Sequence, residues 1–289
     1  MSEVKRHLYL VVAFVLSGSC QSVDRVEKRV EPSINSKNTH QSQQQTVVGG
    51  SPGCKLENKD TGLMNVSIKV GNTPRTFIRV VNKNYNHDSK HALVIGYHGL
   101  GLDGTSPRVD HKWPIIEDLA GDQAIFIYGN ALGGQWNAGP YSADVIFFDE
   151  IVKTVGDLYC IDKKRVFVHG FSNGAFFVNG LASLRKDAIR GVISVAGGGG
   201  GTKIPAMIIH GIQDPNVGYY SYAPSTVSSY AQANGCNMPT KAEGIKLDTC
   251  QLLDGCPKDL PVRFCRWNGN HHWPEFTLPD VWGFISSLN

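Results

Sequence analysis

The 289-residue chain has no apolar run long enough to cross a bilayer: the one near its start covers only residues 8–16, well short of the roughly 20 residues a spanning helix needs. It has no excess of charge of one sign. Its 28 Lys and Arg stand against 25 Asp and Glu, a formal net charge of +3, so no basic field is present to gather nucleic acid. It has no internal repeat, which removes solenoids and propellers. It has no cluster of metal-ligating residues at a recognisable spacing. His271 and His272 are neighbours that point apart, and no third ligand accompanies them, so neither metal nor cofactor is expected.

What is present begins with a leader. Lys5 and Arg6 precede the apolar run 8–16, and small residues Ser17, Gly18 and Ser19 precede Cys20, the layout of a signal peptide over residues 1–19. The small residues before Cys20 are similar to a bacterial lipobox, in which the cysteine becomes the lipidated first residue of the mature chain. Ser17 stands where a large aliphatic is usual, and ordinary signal peptidase cleavage also fits. Export implies an oxidising compartment. Of seven cysteines, removing Cys20 leaves Cys54, Cys160, Cys236, Cys250, Cys256 and Cys265, an even set that can form three disulfides, with fifteen pairings open.

Residues 20–50 are rich in Ser, Gln, Asn and charge and contain the run Gln41, Ser42, Gln43, Gln44, Gln45. Such a stretch cannot bury enough surface to offset its ordering entropy and reads as a tether. The remainder, 51–289, is the size of one large single-core domain. Within it, residues 62–81 alternate apolar and polar side chains as a half-exposed hairpin at a sheet edge does. Short apolar runs follow at 92–97, 124–128, 165–169, 191–195, 206–210 and 262–267, which suit strands buried on both faces. Helical stripes lie between them, at Phe148, Ile151, Val152, Val155 and Leu158, and at Phe177, Leu181 and Leu184. This alternation predicts an α/β fold with a mostly parallel central sheet, flanking helices and an N-terminal antiparallel hairpin, its ligand site beyond the carboxyl ends of the strands.

Gly170, Phe171, Ser172, Asn173, Gly174 form a full G-x-S-x-G between a predicted strand and a predicted helix. In that setting the glycines permit the tight turn that lifts a serine hydroxyl above the sheet. A serine needs a base and an orienting acid, which this kind of fold supplies later in the chain in the order acid, then histidine. Asp214 follows the run 206–210, and His271 and His272 follow 262–267. Spacing alone does not choose between the two histidines. The amide of Asn173, at the helix start, is one expected oxyanion donor. The second is expected from the glycine-rich turn after 92–97, at Leu100. His98 precedes the serine and reads as a loop-orienting residue. Trp136, Asn137 and Trp273 are candidate walls of an aromatic or sugar-binding cleft.

Together these residues resemble the esterases grouped with feruloyl esterases and polyhydroxybutyrate depolymerases, which include exported bacterial lipoproteins and secreted fungal feruloyl esterases. The matching pieces run from Ser51, Pro52, Gly53, Cys54 through Arg75 to Arg79, Tyr97 to Gly99, Trp136 and Asn137, and Asp144 and Val145. They continue through Tyr159 to Asp162, Gly170 to Gly174, His210, Gly211 and Asp214, and Asn234 to Cys236, ending at Gly269 to Pro274. The family's ending, similar to G-x-x-H-x-W-P, implies His271 as the base and leaves His272 in a variable position. Glu275 stands where a glycine often follows the proline.

The resemblance implies an α/β-hydrolase fold with Ser172, Asp214 and His271 catalytic. It also implies an ester substrate, most directly a feruloyl or acetyl ester of plant cell-wall polysaccharide. A hydroxyalkanoate polyester is the alternative within the enzyme class, disfavoured by the lack of room for a second, polymer-binding domain. A non-catalytic surface-binding lipoprotein on a hydrolase scaffold is the alternative outside it. Contact with a membrane is expected only through a lipid on Cys20.

Overall fold

A nine-stranded mixed sheet organises the residues described by the structure, a computed structural model covering 50–54, 56–58, 60–237 and 245–288. The leader, Cys20 and nearly all of the tether lie outside the described residues. In chain order the elements are β1 (Gly62–Val70), β2 (Thr73–Val81), β3 (His91–Tyr97), α1 (Ser106–Val109), α2 (Pro114–Ala120), β4 (Ala124–Gly129) and α3 (Ala143–Leu158). Then come β5 (Ile161–Phe171), α4 (Asn173–Leu184), β6 (Gly191–Val195), β7 (Ala206–Gly211), α5 (Tyr219–Asn234), β8 (Thr249–Leu252), β9 (Val262–Trp267) and α6 (Leu278–Ser287).

The strands lie in the order β1-β2-β4-β3-β5-β6-β7-β9-β8. Every pair from β4 to β9 is parallel, while β1, β2 and β8 run antiparallel to their neighbours. β3, β4, β6 and β7 are buried at every position, because alternate side chains enter two separate cores. Leu93, Ile95, Ile125, Val168 and Ile208 face α3, α4 and α5. Ala92, Val94, Phe126, Ile193 and Ile209 face α2 and α6. Covering both faces is what parallel strands require, and the result is a three-layer α/β/α domain of the α/β-hydrolase kind. At the sheet edge, β1 is exposed at most positions, in keeping with its alternating sequence.

Local chemistry starts the helices where they start. Ser142 caps α3, its Oγ accepting from the amide of Val145 at 3.2 Å, and Val145, Phe148, Ile151 and Val155 form the buried stripe behind it. The three expected disulfides join Cys54 to Cys160, Cys236 to Cys256 and Cys250 to Cys265. β8 is an addition to the sequence reading. It has four partly exposed residues, and the last disulfide bonds it to its partner strand β9.

Candidate active site

β5 ends at Phe171 and α4 begins at Asn173, so a single residue, Ser172, makes the whole turn, with φ 55° and ψ −117°. A non-glycine residue in that region is strained and persists only where its surroundings hold it. Here the amide of Ser172 donates to the carbonyl of Val195 in β6 at 2.9 Å. The flanking glycines let the helix close on the sheet. A Cβ on Gly170 would sit 2.1 Å from the carbonyl oxygen of Gly174, and one on Gly174 would sit 2.1 Å from that of Tyr97. The first amides of α4 have no acceptor within their own helix and lie at its positive end.

Asp214 and His271 arrive on two loops bonded to each other. Leaving β7, the amide of Ile212 donates to Trp267 O and that of Gln213 to Gly269 O, both at 2.9 Å. The carboxylate of Asp214 is wholly buried. Its Oδ1 accepts the amides of Asn216 at 2.9 Å and Val217 at 2.8 Å, and its Oδ2 accepts Nδ1 of His271 at 2.7 Å. Nε2 of His271 lies 2.9 Å from Oγ of Ser172. Because Nδ1 carries its proton to the carboxylate, Nε2 presents the lone pair that a serine hydroxyl can bond. His272 turns elsewhere: its Nδ1 donates to Oδ1 of Asn270 at 2.6 Å, and its ring sets an edge against Trp267.

Leu100 stands on the turn after β3 with 64% of its surface exposed. That turn is fixed by His98, whose Nδ1 donates to the carbonyl of Gly99 at 2.7 Å and whose Nε2 accepts the amide of Ala131 at 3.2 Å. Trp136 and Trp273 are each only 4% exposed. Trp136 packs between Tyr97 and Phe177 and donates Nε1 to His98 O. Trp273 abuts Trp113 edge-on and donates Nε1 to Thr277 Oγ1. Both indoles therefore present little surface to a ligand. Asn137 is exposed and lines an open cavity of about 650 Å³ with Leu132, Gln135, Ala138 and Ser142, and the small exposed part of Trp136 reaches the same wall.

Two further buried groups bear on the site. His111, buried near His271, touches Phe171 and Trp273. Burial, followed by the neighbouring His272 and His271, lowers its pKa to about 4. No local motif marks it. Asp144 is, with Asp214, one of two buried carboxylates among the described residues, and it pairs with the wholly buried guanidinium of Arg75 at 2.7 Å. Both residues lie in the family-like blocks, which was the available signal. Among the described residues no group of His, Cys, Asp and Glu is placed to hold a metal ion.

A serine, an imidazole and a buried carboxylate joined in sequence at the carboxyl ends of β5, β7 and β9 define a serine-hydrolase arrangement on an α/β-hydrolase fold. No family model matches the chain. It is 31% identical over 236 residues, 76% of its length and 83% of the relative's, to a probable feruloyl esterase C of Aspergillus flavus. To feruloyl esterase D of Neurospora crassa it is 26% identical, covering 83% of this chain and 90% of that one. In three dimensions it is similar to an acetyl xylan esterase from Aspergillus awamori, with a TM-score of 0.61 at 16% identity over 78% of this chain and all of that one. The chain belongs to the feruloyl esterase family and is a carboxylic ester hydrolase.

Proposed function

We propose that the protein is an exported serine esterase that removes feruloyl or acetyl groups from plant cell-wall polysaccharide through an acyl-enzyme. The observation that carries this is the unbroken line Ser172, His271, Asp214, with contacts of 2.9 and 2.7 Å. Ser172 Oγ attacks the ester carbonyl as His271 Nε2 takes its proton, and Asp214 holds the imidazole's tautomer and offsets its positive charge. The amides of Asn173 and Leu100 receive the oxyanion. As the C–O bond breaks, the imidazolium gives its proton to the departing sugar oxygen, which leaves as the hydroxyl, and water repeats the sequence to release the acid. Asn137, Trp136 and the cavity they line take the saccharide side of the ester, while Trp273 packs against His111 and Trp113 beside the His271 loop.

The similarity to feruloyl esterases named as such supports the substrate class. Three disulfides suit an oxidising compartment. In this reading residues 1–19 are removed, Cys20 becomes a lipidated first residue, residues 20–50 tether the domain and 51–289 carry catalysis. Intact mass of the exported protein tests the lipid, and an unmodified Cys20 or cleavage elsewhere removes that part of the reading. The substrate test offers the purified protein methyl ferulate, acetylated xylan and hydroxybutyrate oligomers, with Ser172→Ala as control. Faster turnover of the oligomers than of either of the first two would overturn the cell-wall assignment.

A further inference from the structure

Burying an ion pair is expensive, and hydrophobic residues of similar size often serve stability as well or better. Arg75 and Asp144 are nonetheless buried together, and their polar atoms converge on one stretch of chain. Asp144 Oδ1 accepts from Arg75 Nη2 at 2.7 Å, and its Oδ2 accepts the amide of Asn137 at 2.9 Å. The same Nη2 donates to the carbonyl of Asn130 at 3.1 Å, and Nη1 to that of Ala143 at 3.3 Å. The pair therefore grips the segment 130–144 near its beginning, middle and end.

Between those grips, residues 131–136 make four hydrogen bonds to the two turns that carry the oxyanion donors. The amide of Ala131 donates to His98 Nε2 at 3.2 Å, and Trp136 Nε1 donates to His98 O at 3.1 Å. The carbonyl of Gly134 accepts the amide of Gly101 at 2.8 Å. These three bonds bracket Leu100. The fourth runs from the amide of Trp136 to Oδ1 of Asn173 at 2.7 Å, so the side chain of one donor residue is tied to the segment that holds the turn of the other.

We propose that Asp144, held by Arg75, is a positioning residue for transition-state stabilisation: through the segment 130–137 it sets the separation of the Leu100 and Asn173 amides. This rests on the reading of Ser172 as nucleophile and of those amides as oxyanion donors. Preorganised donors help only when aimed at the place where charge develops, so a small loss of registry costs turnover while leaving ground-state binding alone. The proton relay of Ser172, His271 and Asp214 is untouched by this clamp.

The test compares wild type with Asp144→Asn, which keeps the volume and removes the charge, and with Asn173→Ala, which removes the side-chain acceptor and keeps the amide. Each variant is expected to lose about tenfold in kcat with KM nearly unchanged. Affinity for a trifluoromethyl ketone, whose adduct carries the oxyanion, should fall in proportion, while the pH profile of kcat/KM keeps its shape. If Asp144→Asn does not fold, Arg75→Lys, which keeps a cation and loses the grips on Asn130 and Ala143, takes its place with the same expected outcome. An active wild type, silenced by Ser172→Ala, whose folded variants keep kcat and ketone affinity within about twofold overturns the proposal and leaves the esterase reading standing. A change confined to KM also overturns it. A wild type without Ser172-dependent hydrolysis overturns both.

Discussion

The imidazole of His210 lies against the carboxylate of Asp214, its Nε2 3.5 Å from Oδ2, yet its proton goes to the carbonyl of Val217 at 2.7 Å. That bond closes the turn whose amides, from Asn216 and Val217, hold the other carboxylate oxygen. Burial lowers the pKa of His210, so it works as a neutral donor that shapes the acid's loop. His210→Phe fills the same space without the bond. It is expected to cost about 1 kcal/mol of stability and lower kcat by about tenfold with KM little changed, read by urea unfolding and ester hydrolysis.

The adjacent histidines should separate sharply. His271→Ala is expected to lower turnover by orders of magnitude with the fold intact, and His272→Ala by about tenfold or less. Hydrolysis by both variants, matched by circular dichroism, checks it. A dead His272→Ala beside an active His271→Ala would move the base to the other residue.

Ser172 sits in backbone territory that glycine occupies without strain. Ser172→Gly should therefore be more stable than Ser172→Ala by about 1 kcal/mol, the relief of strain at such a position exceeding glycine's added unfolded-state entropy. Both variants should be inactive. Equal urea midpoints would show that the turn costs the fold nothing.

His98, His111, His169 and His210 are all buried with lowered pKa values, desolvation being the leading cause in each. They stay neutral in the folded protein, while in the unfolded chain histidines take up protons below about pH 6.5. Stability is thus fully present above that pH and lost as the pH falls toward about 4, where His111 itself titrates. Urea midpoints at pH 7.5 and 4.5 measure the loss. His111→Phe should narrow the difference, and an unchanged gap would remove His111 from the effect.

The bond between Cys54 and Cys160 closes a span of 106 residues. Replacing both cysteines by serine should destabilise the domain by about 2–5 kcal/mol. Native protein should show none of its six domain cysteines reactive to alkylation before reduction. A wild-type melting temperature in the double variant would contradict the first expectation, and labelled thiols the second.

Much of the sheet was legible because its chemistry is local. The runs of β3, β4, β6 and β7 are apolar on both faces, and the order of Ser172, Asp214 and His271 follows strand ends along the chain. α5 escaped because its buried stripe, Tyr219, Ala223, Val227, Tyr230 and Ala231, uses small residues and tyrosines among serines, with Pro224 inside the helix. β8 escaped because four partly exposed residues carry no alternation, and its partner strand and the disulfide hold it in place. Asp144 carries no local sign of burial beyond its place in a family-like block. Its burial depends on Arg75, which lies on β2 far earlier in the chain. The direction in which Trp136 points is likewise set by Tyr97 and Phe177, both distant in sequence.

The hydrogen bond between Ser172 and His271 joins residues 99 positions apart, and the strand that delivers the histidine is the last of the sheet to be made. The parallel pairing of β7 with β9 must close over residues 212–261 before it gains anything, a far longer stretch than separates β5 from β6 or β6 from β7, which makes that contact late in folding. Catalytic competence is therefore the final property the chain acquires. Recovery of hydrolysis after dilution from urea should lag the return of helical signal, and a chain still being synthesised is silent until β9 has emerged and docked.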